Sequence, residues 1–240
     1  MRSLKDLFVL IGVIACLAPE VMASRFDVVA GRTGGPANGG ATCKSCHGQT
    51  TGPGMVEIFG APNHYQADAV YDLVVRVTDP TRLGAGFQIS AEDASGNHIG
   101  ELSVIDSVRT ALNTDDPVYL NHSSDGVDDS VANWAANGNS VDYPVRWTAP
   151  STDMGAVTFW AAGNAINDNF SASCPTQPSC APGCCDIIYL TSKSANFVAV
   201  PAVSTWGMVI LAISVLTAGS IMAVRRRPAR VLVPATRGRN

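Results

Sequence analysis

The chain has 240 residues, 46% hydrophobic and only 15% charged, with 22 Gly and 14 Pro; this excludes a long helical bundle, a coiled coil and a charge-rich disordered chain. The net charge of −4 is unevenly spread: residues 24–200 carry 8 Lys and Arg against 18 Asp and Glu, whereas residues 201–240 carry six Arg and no acid. An acidic middle argues against nucleic acid as a partner and marks the two ends as addresses.

The N-terminus opens with Met1-Arg2-Ser3-Leu4-Lys5, followed by an apolar run from Leu7 to Ala18, the break Pro19-Glu20, and small residues up to Ala23. This is the pattern of a secretory signal peptide over 1–23 with cleavage after Ala23. Val13-Ile14-Ala15-Cys16 offers the alternative of a lipobox that leaves Cys16 lipidated. Residues 24–59 lack strand alternation and are rich in Gly, so they are expected to form an irregular arm lying against the following domain.

Within that arm, Cys43-Lys44-Ser45-Cys46-His47 is a C-x-x-C-H sequence. Haem c attachment needs this spacing, because two thiols one turn apart must reach the two vinyl groups of one porphyrin. The next residue, His47, can then offer its imidazole to the iron. Export supports haem c, which is attached outside the bacterial cytoplasm. A Cys43–Cys46 disulfide and a zinc site are the other readings; zinc lacks a second C-x-x-C at the usual spacing. Met55, eight residues beyond His47, is the sequence-local candidate for a sixth ligand; His64 is a further one, and His98 reads as a solvated turn residue.

From residue 60 to 200 the period is mostly two. Tyr71, Leu73, Val75 and Val77 alternate with polar or outward positions, as do Val141, Tyr143, Val145 and Trp147. Shorter strands are expected at 86–91, 99–105, 117–121, 155–162, 186–192 and 196–200, with Ala94-Ser95-Gly96-Asn97 as a hairpin turn. Short strands separated by Gly, Asn, Asp and Pro predict an all-β antiparallel sandwich. Asp125-Gly126-Val127-Asp128-Asp129 reads as a solvated acidic loop; it lacks EF-hand spacing, so calcium is not expected there. Cys174, Cys180, Cys184 and Cys185, with Pro175, Pro178 and Pro182, describe a loop over 171–185 stapled by two disulfides in an oxidising compartment. No G-x-S-x-G, P-loop or H-E-x-x-H occurs, so no catalytic residue is assigned.

The C-terminus carries 19 uncharged residues, Trp206 to Val224, followed at once by Arg225-Arg226-Arg227. At the helical rise this is about 28 Å, enough to cross a bilayer core with the Arg cluster inside. Pro201, Ser204, Trp206 and Gly207, then the span, then the Arg cluster, resemble the bacterial IPTL-CTERM sorting signal. That resemblance implies an envelope location over 201–240, with the span removed by a sorting enzyme or kept as a membrane anchor. Val200, Ala202 and Val203 depart from its commonest residues.

A second resemblance covers roughly residues 40–195. Gly60-Ala61-Pro62-Asn63-His64-Tyr65, Gly86-Phe87-Gln88-Ile89, Val145-Arg146-Trp147-Thr148-Ala149-Pro150 and Phe159-Trp160-Ala161-Ala162-Gly163-Asn164 are similar to Reeler domains, and with the Cys43 motif to bacterial choice-of-anchor V proteins. The Gly-Phe-Gln and Ala-Gly-Asn blocks are its most specific parts. It implies an Ig-like sandwich with a C-terminal transmembrane helix in an exported envelope protein, and it implies no settled activity. His122, where this family tends to carry His, is the first choice for the sixth ligand. The expectation is therefore one c-type haem for electron transfer or haem-based sensing with a redox partner protein. The alternative is a non-enzymatic surface binding or adhesion module.

Overall fold

Alternation of apolar and polar residues folds the middle of the chain into two sheets packed face to face. The computed structural model describes residues 28–47, 51–168 and 186–199, together with Ile213, Ser214 and Leu216. Strands β1 (Met55–Phe59), β3 (Val70–Thr78), β8 (Ser140–Thr148) and β5 (Glu101–Val104) form one sheet, in that order. The other is six-stranded: β2 (His64–Tyr65), β10 (Ile187–Phe197), β9 (Val157–Ile166), β4 (Gly84–Glu92), β7 (Leu120–His122) and β6 (Thr110–Leu112). All neighbours are antiparallel except β2 and β10, which run parallel.

The core lies between the sheets. From β3 it takes Leu73, Val75 and Val77, and from β8 Val141, Tyr143, Val145 and Trp147. Opposite stand Ala85, Phe87 and Ile89 of β4 with Val157, Phe159 and Ala161 of β9. Trp147 meets Phe159 edge-on at 5.0 Å between centroids, and Phe87 stacks on Tyr143 at 4.4 Å. Such pairs add about 0.5–1.5 kcal/mol each beyond their buried area. The solvent face of the smaller sheet carries cross-strand ion pairs, Arg76 with Asp142 and Arg146 with Asp72.

Four expectations change. The fold is not purely β: Ser124–Asn133, read as an acidic loop, is an α-helix, α1. Ser123 caps it by accepting from the Gly126 N–H at 2.9 Å, Asp125 favours the positive end of the dipole, and Trp134 turns inward to donate to the Asp79 carbonyl. The turn at 94–97 exists, closed by the Asp93 N–H on the Asn97 carbonyl, but it does not make a β4–β5 hairpin. After the isolated Glu92–His98 bridge, the chain crosses to the other sheet. The run 186–192 and the start of 196–200 fall on one strand, β10, because β9 pairs with it from Ile187 to Ala195; Val200 lies outside the described residues. Finally, His98 is not a solvated turn residue: its ring packs edge-on against Tyr119 at 5.0 Å, with Nδ1 buried.

The chain divides into two compact units at Ala199/Val200. In the second, Ile213, Ser214 and Leu216 are helical, and the rest of the expected span 206–224 lies outside the described residues. Among the described residues no helix is long and apolar enough to cross a membrane. The expected signal peptide and the Cys174–Cys185 loop also lie outside them.

Candidate functional site on the outer face of the six-stranded sheet

Strand β4 is buried along its whole length. Its core side is apolar, while Gly84, Gly86, Gln88, Ser90 and Glu92 point away from the core. These residues are buried because other parts of the chain cover them. Helix α1 covers Gly84, where an added Cβ would stand 2.6 Å from Val131. The His122 ring covers Gly86, and the arm covers the rest. Gln88 accepts from the Arg32 N–H at 2.6 Å and donates to the Val29 carbonyl. Thr33 and Ser90 share a hydroxyl bond of 2.9 Å. Glu92 accepts from the Ala37 N–H at 2.8 Å and from the Ser90 hydroxyl at 2.5 Å. A strand face reading Gln-x-Ser-x-Glu opposite an apolar face is the signal of a polar layer awaiting a cover, and the sequence reading passed over it.

The arm itself is a loop closed by the Thr33–Thr42 bridge. Its last segment is a tight turn, Cys43–Ser45, started by the Thr42 side chain accepting from the Lys44 N–H. The N–H groups of Cys46 and His47 both donate to the Cys43 carbonyl, at 3.0 and 2.9 Å. Cys43, Cys46 and His47 therefore share one turn, as the C-x-x-C-H spacing requires. Both thiols are unbonded and partly buried. Burial pushes the Cys43 thiol up to about 12, so it stays protonated and reaches 3.7 Å to the Arg32 carbonyl.

His47 is the residue that fastens this turn to the sheet. Its Nδ1 lies 2.7 Å from Asp186 Oδ2, at the entry to β10, with the two side chains 18% and 7% exposed. The Asn167 N–H holds the other carboxylate oxygen at 3.2 Å. Asn164 of β9 places its Nδ2 3.2 Å from His47 Nδ1 and 3.3 Å from Nε2. Neither Asn164 nor Asp186 was read from the sequence as a site residue; 117 and 139 positions separate them from His47.

His122 stands beside them. Asn164 is the ladder partner of Gly86, and the His122 ring occupies the space above Gly86 that a Cβ would fill. Its Nδ1 lies 2.9 Å from the Phe87 nitrogen and 3.1 Å from the Phe87 carbonyl oxygen, so it bonds to the Phe87 backbone one residue beyond the β4–β7 ladder. Burial drives its pKa down to about 4, and the nearby His47 adds to the effect. The structure thus brings His47 and His122 to neighbouring positions. Met55 is elsewhere, half exposed at the head of β1 in the smaller sheet, and His64 is exposed on β2. Asp125, Asp128 and Asp129 are on α1, where Asp129 pairs with Arg109 at 2.9 Å. Among the described residues no group of three or more His, Cys, Asp or Glu is placed to hold a metal ion.

The residues present fit a covalently held haem by their donor chemistry. Two free thiols sit one turn apart, and a His has its Nδ1 engaged by a carboxylate. A buried acceptor, Asn164 Oδ1, has no partner beside them.

No family model matches the chain, and no curated protein sequence matches it. Among solved structures it is similar to the human F-spondin reeler domain, at 17% identity over 62% of this chain and 92% of that one, with a TM-score of 0.41. It is similar to the Reelin-N domain of F-spondin at 16% identity over 65% and 95%, with a TM-score of 0.41. A third neighbour is AvmM, described as catalysing macrocyclization in alchivemycin A biosynthesis, at 14% identity over 64% and 93%, with a TM-score of 0.34. The class of protein is set by the chain's own coordinates: a two-sheet β-sandwich with a polar, arm-covered outer face.

Proposed function

We propose that this chain is an exported bacterial envelope protein of the Reeler-like, choice-of-anchor type whose arm carries one covalently attached haem c. In this reading Cys43 and Cys46 hold the porphyrin, His47 ligates the iron, and the protein serves electron transfer or haem-based sensing with a redox partner protein. The observation that carries the reading is the arrangement of His47: it shares a turn with both thiols, its Nδ1 is taken by Asp186, and a second imidazole, His122, lies at the adjoining ladder position. When bound, the group supplies reversible one-electron chemistry. The chain's residues would hold it by two thioethers, orient His47, and shield the site with the arm. The Reeler-like assignment gains support from the ladder itself, since the Gly86-Phe87-Gln88 and Ala162-Gly163-Asn164 blocks are cross-strand partners. Gly163 has a packing reason to be Gly: an added Cβ would stand 2.8 Å from Val77.

Maturation of the full chain in a host with haem c machinery tests the reading. A sharp reduced α-band and a mass increased by one haem are expected, and both should vanish in the Cys43→Ala/Cys46→Ala variant. His122→Ala should change the iron spin state if His122 is the sixth ligand; an unchanged spectrum removes His122 from the site. A chain without covalent haem, beside a working cytochrome control, leaves the surface binding or adhesion module in its place. Attachment to the membrane through residues 206–224, or release by a sorting enzyme, belongs to the same proposal.

A further inference from the structure

His47 is held twice, and the two contacts have different consequences. A carboxylate only accepts hydrogen bonds. With Asp186 Oδ2 2.7 Å away, Nδ1 must carry the hydrogen, and the lone pair of a neutral ring then falls on Nε2. Asn164 Nδ2 is nearly equidistant from both ring nitrogens, at 3.2 and 3.3 Å. In the ring plane that position would overlap Cε1, so the amide lies over the ring face and leaves the in-plane approach to Nε2 free. The same Nδ2 is 3.5 Å from Asp186 Oδ2, which turns it toward β10. Asn164 Oδ1 is buried without a partner. Asp186 is itself fixed by the Asn167 N–H and is almost wholly buried, so its charge acts on the ring with little screening.

We infer that Asp186 is a positioning residue for His47: it sets the tautomer and rotation that leave Nε2 as the ligating atom, and its negative charge raises the ring's donor strength toward iron. This rests on the haem reading above for its redox consequence but not for the tautomer. Carboxylates hydrogen-bonded to ligating imidazoles act in this way at other metal centres, and their loss commonly costs 10–100-fold in metal affinity or activity. Here the thioethers would retain the haem, so the effect should appear in the iron rather than in haem content. A neutral partner should favour the ferrous state and raise the midpoint potential.

The test compares the matured full chain with Asp186→Asn and Asp186→Glu. A raised potential in Asp186→Asn at unchanged haem content, returned toward the parent value in Asp186→Glu, supports the inference. An unaltered potential and spectrum in Asp186→Asn overturns it and leaves the haem reading standing. If the variants fail to fold, nitrogen-15 NMR of the unsubstituted, haem-free chain decides: a protonated Nδ1 on His47 supports the inference, and a bare Nδ1 overturns it. If the unsubstituted chain takes up no haem beside a working control, the haem reading falls, and the same NMR measurement still settles the role of Asp186.

Discussion

Gly86→Ala isolates the His122 contact, because the backbone there is outside the left-handed region and tolerates Ala. A methyl group would stand 2.6 Å from both Cε1 and Nδ1 of His122. Carbon atoms settle at about 3.5–4.0 Å, so the ring must retreat by about 1 Å or more. It cannot do so and keep Nδ1 2.9 Å from the Phe87 nitrogen. Losing that bond leaves a buried Phe87 backbone group without its partner, at a cost of about 1–3 kcal/mol at neutral pH. The pH dependence supplies the check. In the haem-free parent chain His122 has its pKa lowered from 6.5 to about 4, so its contribution is complete above pH 6.5 and is lost as pH falls through 4. At 1.36 kcal/mol per tenfold, that loss is about 3 kcal/mol as an upper bound. A displaced, solvated ring in Gly86→Ala should titrate near its ordinary value and lose this dependence. Urea unfolding at pH 7 and pH 4, with an NMR titration of the histidine ring protons, should therefore show a destabilised variant whose deficit closes in acid. Parent-like stability together with a His122 that stays neutral at pH 5 would refute the argument.

Glu92→Ala should strip the Ala37 N–H and the Ser90 hydroxyl of their acceptor, at about 1–3 kcal/mol each; amide exchange should accelerate over residues 33–42 while β8 and β9 keep their protection, and an arm that exchanges at the parent rate would show that Glu92 does not hold it. Trp147→Ala should cost about 3–5 kcal/mol, from lost packing in a fully buried position and a lost indole bond to the Ile99 carbonyl, read by denaturant midpoint. The Tyr189 hydroxyl, buried and bonded to Asp79 at 2.6 Å, has its pKa pushed up to about 12 by burial first. Its contribution is complete below pH 10 and lost as pH rises through 12; Tyr65, Tyr119 and Tyr143 are pushed up as well, so ultraviolet titration of Tyr189→Phe should show one late-ionising Tyr fewer than the parent.

Strands whose two faces differ were legible. Leu73, Val75 and Val77, and Tyr143, Val145 and Trp147, announce β3 and β8 because the same alternation that makes a pleat also makes a core. Helix α1 was missed because three Asp and a Gly read as loop chemistry, yet Ser123 and the spacing Val127, Val131, Trp134 carried a cap and an apolar stripe. Strand β10 was split because Thr191 to Ser194 are polar; pairing with β9 along its length, not burial of each residue, decides its continuity. The thiols and His47 were legible because their chemistry is local, all within five residues. Their supports were not: Asp186 and Asn164 gain meaning only when the register sets Asn164 against Gly86.

The polar row Gln88, Ser90 and Glu92 explains why a Gly-rich arm without strand alternation can be ordered at all. An arm with few apolar side chains recovers little hydrophobic free energy to offset its backbone entropy, which costs about 1–2 kcal/mol per residue. Buried acceptors already placed on a rigid strand supply directional bonds instead, each worth about 0.5–1.5 kcal/mol net and more where a carboxylate takes part. Glu92 fixes the tip of the arm's loop through Ala37, and Asp186 fixes the turn that follows, through His47. The Thr33–Thr42 bridge makes the segment one loop rather than a free tail, so an order imposed at either point reaches the other. The position of the Cys43–His47 turn is thus fixed by a sheet that the turn's own sequence does not contain. Moving the C-x-x-C-H segment onto another sandwich would carry over the thiols and the imidazole but none of the groups that orient them.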